Sequence, residues 1–382
     1  MAGSSYGTIF RITTWGESHG KGVGVVIDGC PAGLYLNESM IQPFLNRRKP
    51  GTTKYSTPRK ENDIVEILSG TFEGRTTGTP ISMIVHNTSQ RSQDYSEIAS
   101  YYRPGHADYT FDMKYGFRDY RVGGRSSGRE TIARVIGGAV ASLILKTIGI
   151  EVNAYTKSIG PVEIDYNKCS REHVFQSPLY MPDLEASAAA EDYLLQTMRS
   201  RNSAGGIVEC IISGMPAGIG ETVFEKLDAN LTKGIMSIGA VKGVEIGSGF
   251  EAAKMLGSEN NDNFYIENGE IRKATNHSGG ILGGMSDGSE IILRAAFKPT
   301  PSISGTQHTI STMGQNMEVS VKGRHDPIIV PRGVVVVESM AAMTILDMLF
   351  LNMSTRMDKI TEFYRKKSKV SYKTDMPAMQ AS

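Results

Sequence analysis

The sequence predicts an α+β protein, because strand-rich segments and long helices occupy separate stretches of the chain. Short runs rich in β-branched residues recur in both halves, and three long segments carry apolar residues at the helical period. A third observation is an internal repeat: residues 26–34 (VIDGCPAGL) resemble residues 211–219 (IISGMPAGI). Each copy predicts a strand, a Gly-x-Pro-Ala-Gly turn and a helix, so we expect two similar halves.

The elements follow from local pattern, in chain order. Alternating, β-branched residues predict a strand over 7–15, and a second strand is predicted over 23–28. A helix is predicted over 37–48, with Asn37 as its N-cap. Further strands are predicted over 64–68, 81–85, 207–213, 290–295 and 318–321. Long helices are predicted over 129–147, 183–201 and 336–365.

The domain organisation is predicted from length and from the lack of a linker. A chain of 382 residues is long enough for two or three domains. No Pro- or Ser-rich linker separates the halves, so we expect one catalytic unit over 1–365, with halves of about 1–200 and 201–365. The polar, Lys-rich tail over 366–382 is expected to be mobile.

Composition excludes several classes of protein. Lys and Arg number 41 against 40 Asp and Glu, so a globally basic nucleic-acid binder is disfavoured. The three cysteines, Cys30, Cys169 and Cys210, are too few and too scattered for a disulfide scaffold, and no metal site is predicted. The chain opens without a secretory signal pattern. The longest apolar stretch, 135–145, is too short to span a bilayer, so a soluble, cytoplasmic protein is expected.

The first chemical motif is residues 16–20, GESHG. It matches the G-x-S-x-G nucleophile elbow of serine hydrolases, but that elbow requires a helix directly after it. A strand is predicted there instead, which disfavours a hydrolase. The glycines leave room for a ligand to approach Ser18 and His19, and His19 is suited to general acid catalysis. The alternative is an ordinary turn between two strands.

Two further motifs precede the first long helix. Residues 103–109, RPGHADY, place His106 in a turn before a predicted helix start. Residues 123–131, GGRSSGRET, combine a free backbone and two hydroxyls with a helix N-terminus, which suits a phosphate group. The alternative is a plain N-cap, in which Ser127 and Glu130 form a capping box; both interpretations can hold together.

Basic residues cluster locally although the whole chain is nearly neutral. One run covers 47–60 and includes Arg48 and Lys54. Arginine forks suit phosphate and carboxylate groups, while a solvated charged face is the plain alternative. An RNA or polyanion binder is a further alternative, but aromatic residues do not alternate regularly with the arginines. The arginines of the second cluster are Arg103, Arg118, Arg121, Arg125, Arg129 and Arg134.

The last motifs lie in the second half of the chain. They are 276–284 (NHSGGILGG), 298–302 (KPTPS) and 322–327 (KGRHDP). Asp326, between a histidine and a proline, either caps a turn or supplies an active-site carboxylate.

Taken in order, these blocks resemble the chorismate synthase family over residues 7 to about 350. The resemblance implies conversion of 5-enolpyruvylshikimate 3-phosphate to chorismate and phosphate, the last step of the shikimate pathway for aromatic amino acids. The reaction is an anti-1,4 elimination without net redox change that nevertheless needs reduced FMN. The family's fold is a β-α-β sandwich, in which two antiparallel sheets enclose helices, and its members assemble as homotetramers. The matching blocks are GESHG, RPGHADYT, GGRSSGRET, AVKGVEIG at 240–247, NHSGGILGG, KPT and GRHDP.

The resemblance also implies residue roles. His106 would donate a proton to the leaving phosphate, His19 would keep the reduced flavin correctly protonated, and Asp326 would assist proton removal through the flavin N5. Ser18 and Ser127 would be supporting hydroxyls. The implied FMN contacts are Arg125, Ser126, Ser127, Gly239, Ala240, Gly283, Lys298, Pro299, Thr300, Pro301, Ser302 and Arg324.

Four basic residues, Arg48, Lys54, Arg103 and Arg129, are implied to bind anions. The family assigns Arg48 and Lys54 to NADPH, whereas their place in the basic run favours the substrate; both assignments stay open. NADPH is an alternative reductant to an external one, although no appended reductase domain is visible. The chain departs from the family pattern at Lys54, where Arg is usual, at Gly128, where Ala is frequent, and at Gly239, where Asn is frequent.

Overall fold

A computed structural model describes residues 3–51, 55, 61–88, 98–120, 123–320 and 326–365. The helices are α1 (Glu38–Arg48), α2 (Asp108–Tyr115), α3 (Thr131–Thr147), α4 (His173–Gln176), α5 (Leu184–Arg199), α6 (Leu227–Met236), α7 (Gly257–Asn260), α8 (Val330–Asn352) and α9 (Met357–Arg365). The strands are β1 (Ser5–Tyr6), β2 (Arg11–Gly16), β3 (Gly22–Asp28), β4 (Val65–Ile67), β5 (Thr71–Phe72), β6 (Arg75–Thr76), β7 (Ile81–His86), β8 (Glu151–Ile159), β9 (Val162–Glu163), β10 (Gly206–Ser213), β11 (Val241–Ile246), β12 (Phe264–Glu267), β13 (Glu270–Lys273), β14 (Ile281–Leu282), β15 (Met285–Ser286), β16 (Ile291–Phe297), β17 (Gln307–Ile310) and β18 (Asn316–Val319).

Two five-stranded antiparallel sheets form the outer layers. The first has the order β1-β2-β3-β7-β4 and the second the order β11-β16-β10-β8-β9. Helices α3 and α8 pack together between the sheets, with α3 against β2 and β3 and α8 against β8 and β10. The predicted α+β fold, with antiparallel sheets that enclose helices, is therefore confirmed.

The two central helices approach each other closely because α3 has glycines at the crossing. A Cβ atom at Gly138 would lie 2.2 Å from the Cβ of Ser339 on α8, and one at Gly137 would lie 2.9 Å from the sulfur of Met343. A larger residue at either position would push the helices apart. The glycine pair therefore sets the thickness of the helical layer.

Helix α8 is the longest apolar segment. The stretch 135–145, which we expected to be the longest, is shorter. Among the described residues it is the one helix long and apolar enough to cross a membrane, yet 83% of its apolar window is buried inside the protein. A helix enclosed on all sides needs apolar residues all round. Its composition therefore reflects its place between the sheets.

Two predicted boundaries were wrong for physical reasons. The strand predicted over 7–15 is β2, which begins at Arg11 because the amides of Thr8, Ile9 and Phe10 donate to the Asp347 carboxylate at 2.7–2.9 Å. The predicted helix over 336–365 is two helices, α8 and α9. Helix α8 already starts at Val330, with a proline in its first turn, where a missing N–H costs nothing.

The other predicted elements agree with the structure to within a few residues, and β3 and α1 match closely. Strands β8, β11, β12, β13 and β17 were missed, whereas helix α6 is the helix expected after the second copy of the repeat. The predicted strand over 318–321 is the end of β18, and residue 321 lies outside the described residues. The tail over 366–382 also lies outside them.

The internal repeat occupies equivalent places in the two sheets. Its first copy is the end of β3, the middle strand of the first sheet, and its second copy is the end of β10, the middle strand of the second sheet. Glycines with positive φ follow each strand, Gly29 and Gly33 in one copy and Gly214 and Gly218 in the other. The sequence repeat thus corresponds to a repeated strand and turn.

Candidate active site

A cavity of about 620 Å³ lies where the N-terminal turn of α3, the first turns of α8 and the end of β16 meet. This volume is in the range of small-molecule sites. Five chain segments supply most of its wall: 103–108, 123–131, 237–240, 297–302 and 329–336. The cavity therefore joins residues from both halves of the chain.

The turn that precedes α3 forms one side of the cavity. Gly123 and Gly124 have φ angles of 71° and 43°, which favour glycine, and the Ser126 amide donates to Gly123 O at 2.6 Å. Ser127 caps the next turn, since its Oγ accepts from the Arg129 amide at 3.3 Å. The segment thus presents amides and hydroxyls beside the N-terminus of a 17-residue helix, an arrangement suited to an anion.

The Arg125 side chain connects the cavity to the end of β2. Its Nη2 donates to Thr14 Oγ1 at 2.6 Å and to Thr14 O at 3.2 Å, and its Nη1 donates to Gly16 O at 3.2 Å. Gly16 is the first residue of the GESHG motif. The side chain of Arg125 therefore binds protein carbonyl groups, while its main chain belongs to the anion-binding turn.

His106 is held against the segment after β16. Its Nε2 lies 2.6 Å from Ser302 Oγ, and Ser302 is buried. Next to it, Lys298 Nζ donates to Gly105 O at 2.7 Å. A Cβ at Gly105 would lie 2.7 Å from Pro301 Cβ, so the proline ring packs directly on the glycine and leaves no room for a side chain there. The segment 298–302 thus fixes the turn that carries the candidate acid.

Arginines dominate the charge of the cavity wall, and carboxylates hold them in place. Burial tends to raise the pKa of Asp108, but its hydrogen bonds to Arg103 and the charge of that arginine outweigh burial and hold the pKa below its ordinary value. Fixed forks of this kind are preorganised for a bound anion. The ion pairs are Arg48–Asp63 (2.6 Å), Arg103–Asp108 (2.7 Å), Arg118–Asp108 (3.3 Å), Arg134–Glu130 (2.9 Å) and Arg332–Asp326 (2.6 Å).

Lys298 is a different kind of cation in the same wall. Burial lowers its pKa from the ordinary lysine value, and the nearby charge of Lys242 lowers it further. An anion in the cavity would relieve this repulsion between cations, because a negative charge favours the protonated amine.

Behind the wall lies a buried charge cluster. Arg48 is 1% exposed, and its Nη2 contacts one oxygen of Asp63, whose other oxygen lies 3.0 Å from Arg129 Nη1. Glu61 is a second carboxylate partner of Arg129. The charges of two arginines and two carboxylates cancel here, and this pairing offsets the free-energy cost of removing them from water.

Asp326 faces the cavity beside the first turn of α8. Its Oδ2 accepts from Arg332 Nη1 at 2.6 Å, and Arg332 Nε donates to Arg48 O at 3.0 Å. Arg332 therefore links Asp326, for which the family resemblance implies a role in proton removal, to the end of α1.

The structure brings most of the predicted site residues together, but not all. Ser18, His19, Pro299 and Arg129 do not line the cavity, and Gly283 lies in the β14–β15 hairpin, beyond the opposite end of β16. Lys54 and Arg324 lie outside the described residues. The predicted residues that line the cavity are Arg48, Arg103, His106, Arg125, Ser126, Ser127, Gly239, Ala240, Lys298, Thr300, Pro301, Ser302 and Asp326.

The GESHG motif is not a nucleophile elbow. Strand β3 follows Lys21, as predicted, so the sharp turn from strand to helix that exposes a hydrolase serine is missing. Ser18 is 3% exposed. The geometry thus removes the serine-hydrolase alternative.

Sequence reasoning missed Arg332, Asp63 and Asn87. Arg332 stands in the first turn of a helix whose start was predicted too late. Asp63 and Asn87 lie in segments without a recognised motif, and their role follows only from the partners that folding brings to them.

Fold and cavity together define an α+β protein with a site of small-molecule size where its two halves meet. Comparison with known proteins then narrows the class. A family model of chorismate synthase matches residues 10–350. The chain belongs to the chorismate synthase family, and it is an enzyme of the lyase class.

Individual relatives agree across nearly the whole chain. Chorismate synthase of Lachnoclostridium phytofermentans is 70% identical over 367 residues, which cover 96% of this chain and 100% of that protein. Chorismate synthase of Methanosarcina mazei is 52% identical over 350 residues and covers 91% of this chain and 96% of its own. A crystal structure of chorismate synthase superposes with a TM-score of 0.74 at 30% identity, covering 94% of this chain and 97% of that one.

Proposed function

We propose that this enzyme converts 5-enolpyruvylshikimate 3-phosphate to chorismate and inorganic phosphate by an anti-1,4 elimination, with reduced FMN as cofactor. One C–H and one C–O bond break, a new double bond forms, and no net oxidation occurs. The proposal places the protein in the shikimate pathway, in the cytoplasm. The observation that carries it is the meeting of His106, Asp326 and the arginine forks around one cavity of suitable size.

The cavity fits a flavin mononucleotide as well as a substrate. The turn over 123–127 offers amides and hydroxyls for a phosphate group, and Thr300 Oγ1 is buried at the wall without a hydrogen-bond partner among the described residues. Arg125, Ser126, Ser127, Gly239, Ala240 and the segment 298–302 would hold the cofactor, together with Arg324. When bound, reduced FMN supplies transient electron density to a substrate that lacks an activating carbonyl.

The residues of the chain provide binding and proton transfer. Arg48, Arg103 and Arg129, with Lys54, would bind the phosphate and the two carboxylates of the substrate. His106, oriented by Ser302, would donate a proton to the leaving phosphate. Asp326, held in place by Arg332, would assist removal of the proton from the substrate carbon. His19 would keep the cofactor in the correct protonation state, and Ser18 and Ser127 would support these groups.

We further propose a homotetramer. Large apolar side chains are exposed on the single chain, among them Phe224 (87%), Phe250 (76%) and Ile271 (71%), and such surface normally marks contacts between subunits. Gly283 lies beyond one end of β16, and Lys298 directly follows its other end. If one FMN molecule contacts both positions, the two residues would come from two different chains of the tetramer. Light scattering tests the proposal: a mass near that of one 41.5 kDa chain would refute it.

The test of the activity is an anaerobic assay with the purified protein. Dithionite-reduced FMN and 5-enolpyruvylshikimate 3-phosphate are added, and phosphate release and chorismate absorbance are followed. Turnover that disappears with oxidised FMN supports the proposal. Protein that binds FMN but releases no phosphate, with an active relative as the positive control, would refute it. Repeating the assay with NADPH in place of dithionite shows whether the chain reduces its own flavin.

A further inference from the structure

We propose that Asn87 is a positioning residue, which fixes the turn over 17–20 that carries Ser18 and His19 and joins it to Arg129. No motif or family resemblance assigns a role to Asn87. The contacts of its side chain carry the structural part of the inference. The consequence for catalysis rests on the proposed function.

One side of the Asn87 amide group closes the turn. Its Nδ2 donates to Glu17 O at 3.0 Å and to Gly20 O at 2.8 Å, and the Gly20 amide donates to Glu17 O at 3.1 Å. Ser18 and His19 are the two residues between these anchor points. The backbone amide of Asn87 adds a bond to Lys21 O at 3.0 Å. The turn is thereby fixed at both ends from the end of β7.

The other side of the same amide group faces the charge cluster. Asn87 Oδ1 accepts from Arg129 Nε, and Arg129 Nη1 lies 3.0 Å from Asp63 Oδ1. Asp63 in turn holds Arg48, which lines the cavity. A continuous chain of hydrogen bonds and ion pairs therefore runs from the turn with His19 to an arginine expected to bind substrate.

Only asparagine meets these requirements at this size. The position needs two donors and one acceptor in one plane, which a primary amide supplies. Aspartate would keep the acceptor for Arg129 but would put its second oxygen against the carbonyls of Glu17 and Gly20. Leucine has the same branched arrangement of heavy atoms and supplies neither donors nor acceptor. The two replacements thus separate the effect of charge from the loss of the hydrogen bonds.

The first experiment measures the turn itself, without substrate or flavin. Amide hydrogen exchange followed by mass spectrometry is compared for wild type, Asn87→Asp, Asn87→Leu and a control, Asn153→Asp, whose asparagine is exposed on β8 in the other sheet. We expect exchange in peptides covering 16–21 to accelerate about tenfold or more in both Asn87 variants. Peptides from α3 and β10 should exchange as in wild type, and the control should match wild type throughout.

The second experiment measures turnover in the anaerobic assay. We expect kcat of both Asn87 variants to fall about a hundredfold, because misplacement of a reacting group by about 1 Å has an effect of this size. Faster exchange together with lower kcat supports the proposal. Exchange at the wild-type rate in 16–21 overturns it, and so does faster exchange with unchanged kcat. A wild-type protein without turnover would refute the proposed function. The exchange data would then still decide whether Asn87 fixes the turn over 17–20.

Discussion

Thr76 and Ser286 make the same two hydrogen bonds at equivalent turns of the two sheets. Both hydroxyls are buried and lie in short hairpins that pack on the turn after a central strand. Each donates to a proline carbonyl and accepts from an amide of the same turn. The bonds are Thr76 Oγ1 to Pro31 O (2.6 Å), Leu34 N to Thr76 Oγ1 (3.0 Å), Ser286 Oγ to Pro216 O (2.6 Å) and Ile219 N to Ser286 Oγ (2.9 Å).

These matching bonds explain why the Gly-x-Pro-Ala-Gly segment occurs twice. The proline carbonyl and the amide of each turn need partners, and the hydroxyl supplies both in hydrogen bonds that are at least partly buried. A hydroxyl is the smallest side chain that can donate to one and accept from the other. The two copies of the segment are therefore alike because each turn needs the same two hydrogen bonds. This likeness supports our expectation of two pseudo-symmetric halves.

The first prediction concerns the stability that these hydroxyls provide. Replacing Thr76 by Val or Ser286 by Ala removes two partly or fully buried hydrogen bonds in each case, which should lower the free energy of unfolding by about 1–3 kcal/mol. The two effects should add, because the turns share no contacts. Denaturant unfolding measures both; Thr79→Val, at an exposed threonine, is the control. Variants as stable as wild type would show that water replaces the hydroxyls.

The sequence predicted the fold class and most strands because local pattern determines them. Strand β16 alternates buried and half-buried residues, and β3 is a β-branched run bounded by glycines, so both are visible without tertiary information. The start of β2 was not visible. Thr8, Ile9 and Phe10 have strand-like composition, but their amides bind Asp347, which lies far along the chain.

The site could be predicted to the extent that its residues stand in motifs. Blocks such as 123–131 and 298–302 led directly to the cavity wall. The carboxylates that orient the arginines could not be predicted, because Asp63 reaches Arg48 and Arg129 only through folding. Contacts between distant segments leave no local periodicity in the sequence.

A second prediction tests how Ser302 acts on His106. Their contact of 2.6 Å predicts that Ser302→Ala lowers kcat about tenfold or more, because the imidazole loses its orientation. Ser302→Thr keeps the hydroxyl and should recover most of the activity. The exposed Ser304 provides the control variant Ser304→Ala. Equal kcat values for Ser302→Ala and wild type would contradict a role in orienting His106.

A third prediction separates two neighbouring arginines of α1. Arg48 lines the cavity and contacts Asp63, whereas Arg47 pairs with Glu338 and lies over the ring of Phe175. Lysine keeps the charge but loses the fork, so Arg48→Lys should raise the substrate KM about tenfold. Arg47→Lys should leave KM unchanged and affect only stability. An unchanged KM in Arg48→Lys would refute substrate binding by Arg48, and a changed KM for NADPH would favour the other assignment.

A fourth prediction concerns pH and the Arg103–Asp108 pair. Burial opposes ionisation of Asp108, but Arg103 keeps its pKa below the ordinary value near 4. A carboxyl group with a lowered pKa stabilises the fold above its unfolded pKa, and this contribution is lost as the pH falls through the folded pKa. Unfolding free energies should therefore drop more steeply between about pH 5 and 3 in wild type than in Asp108→Asn. Asp192→Asn, at an exposed site, should follow wild type; a wild-type slope in Asp108→Asn would contradict the assignment.

The last prediction is that the two halves cannot fold separately. A cut near residue 200 would separate β8 from β10, which pair along the middle of the second sheet. It would also separate α3 from α8, which touch where Gly138 meets Ser339. Each piece would then expose apolar surface that the other half covers, which is unfavourable in water.

Thermal melting followed by circular dichroism tests this prediction on residues 1–200, on residues 201–382 and on the two co-expressed. We expect neither piece alone to melt cooperatively, and we expect the co-expressed pieces to regain a cooperative transition, since the contacts between them need no continuous chain. A piece that melts cooperatively by itself would show that its half has its own core. The pseudo-symmetry would then reflect two domains, and the interface between α3 and α8 would be a domain interface.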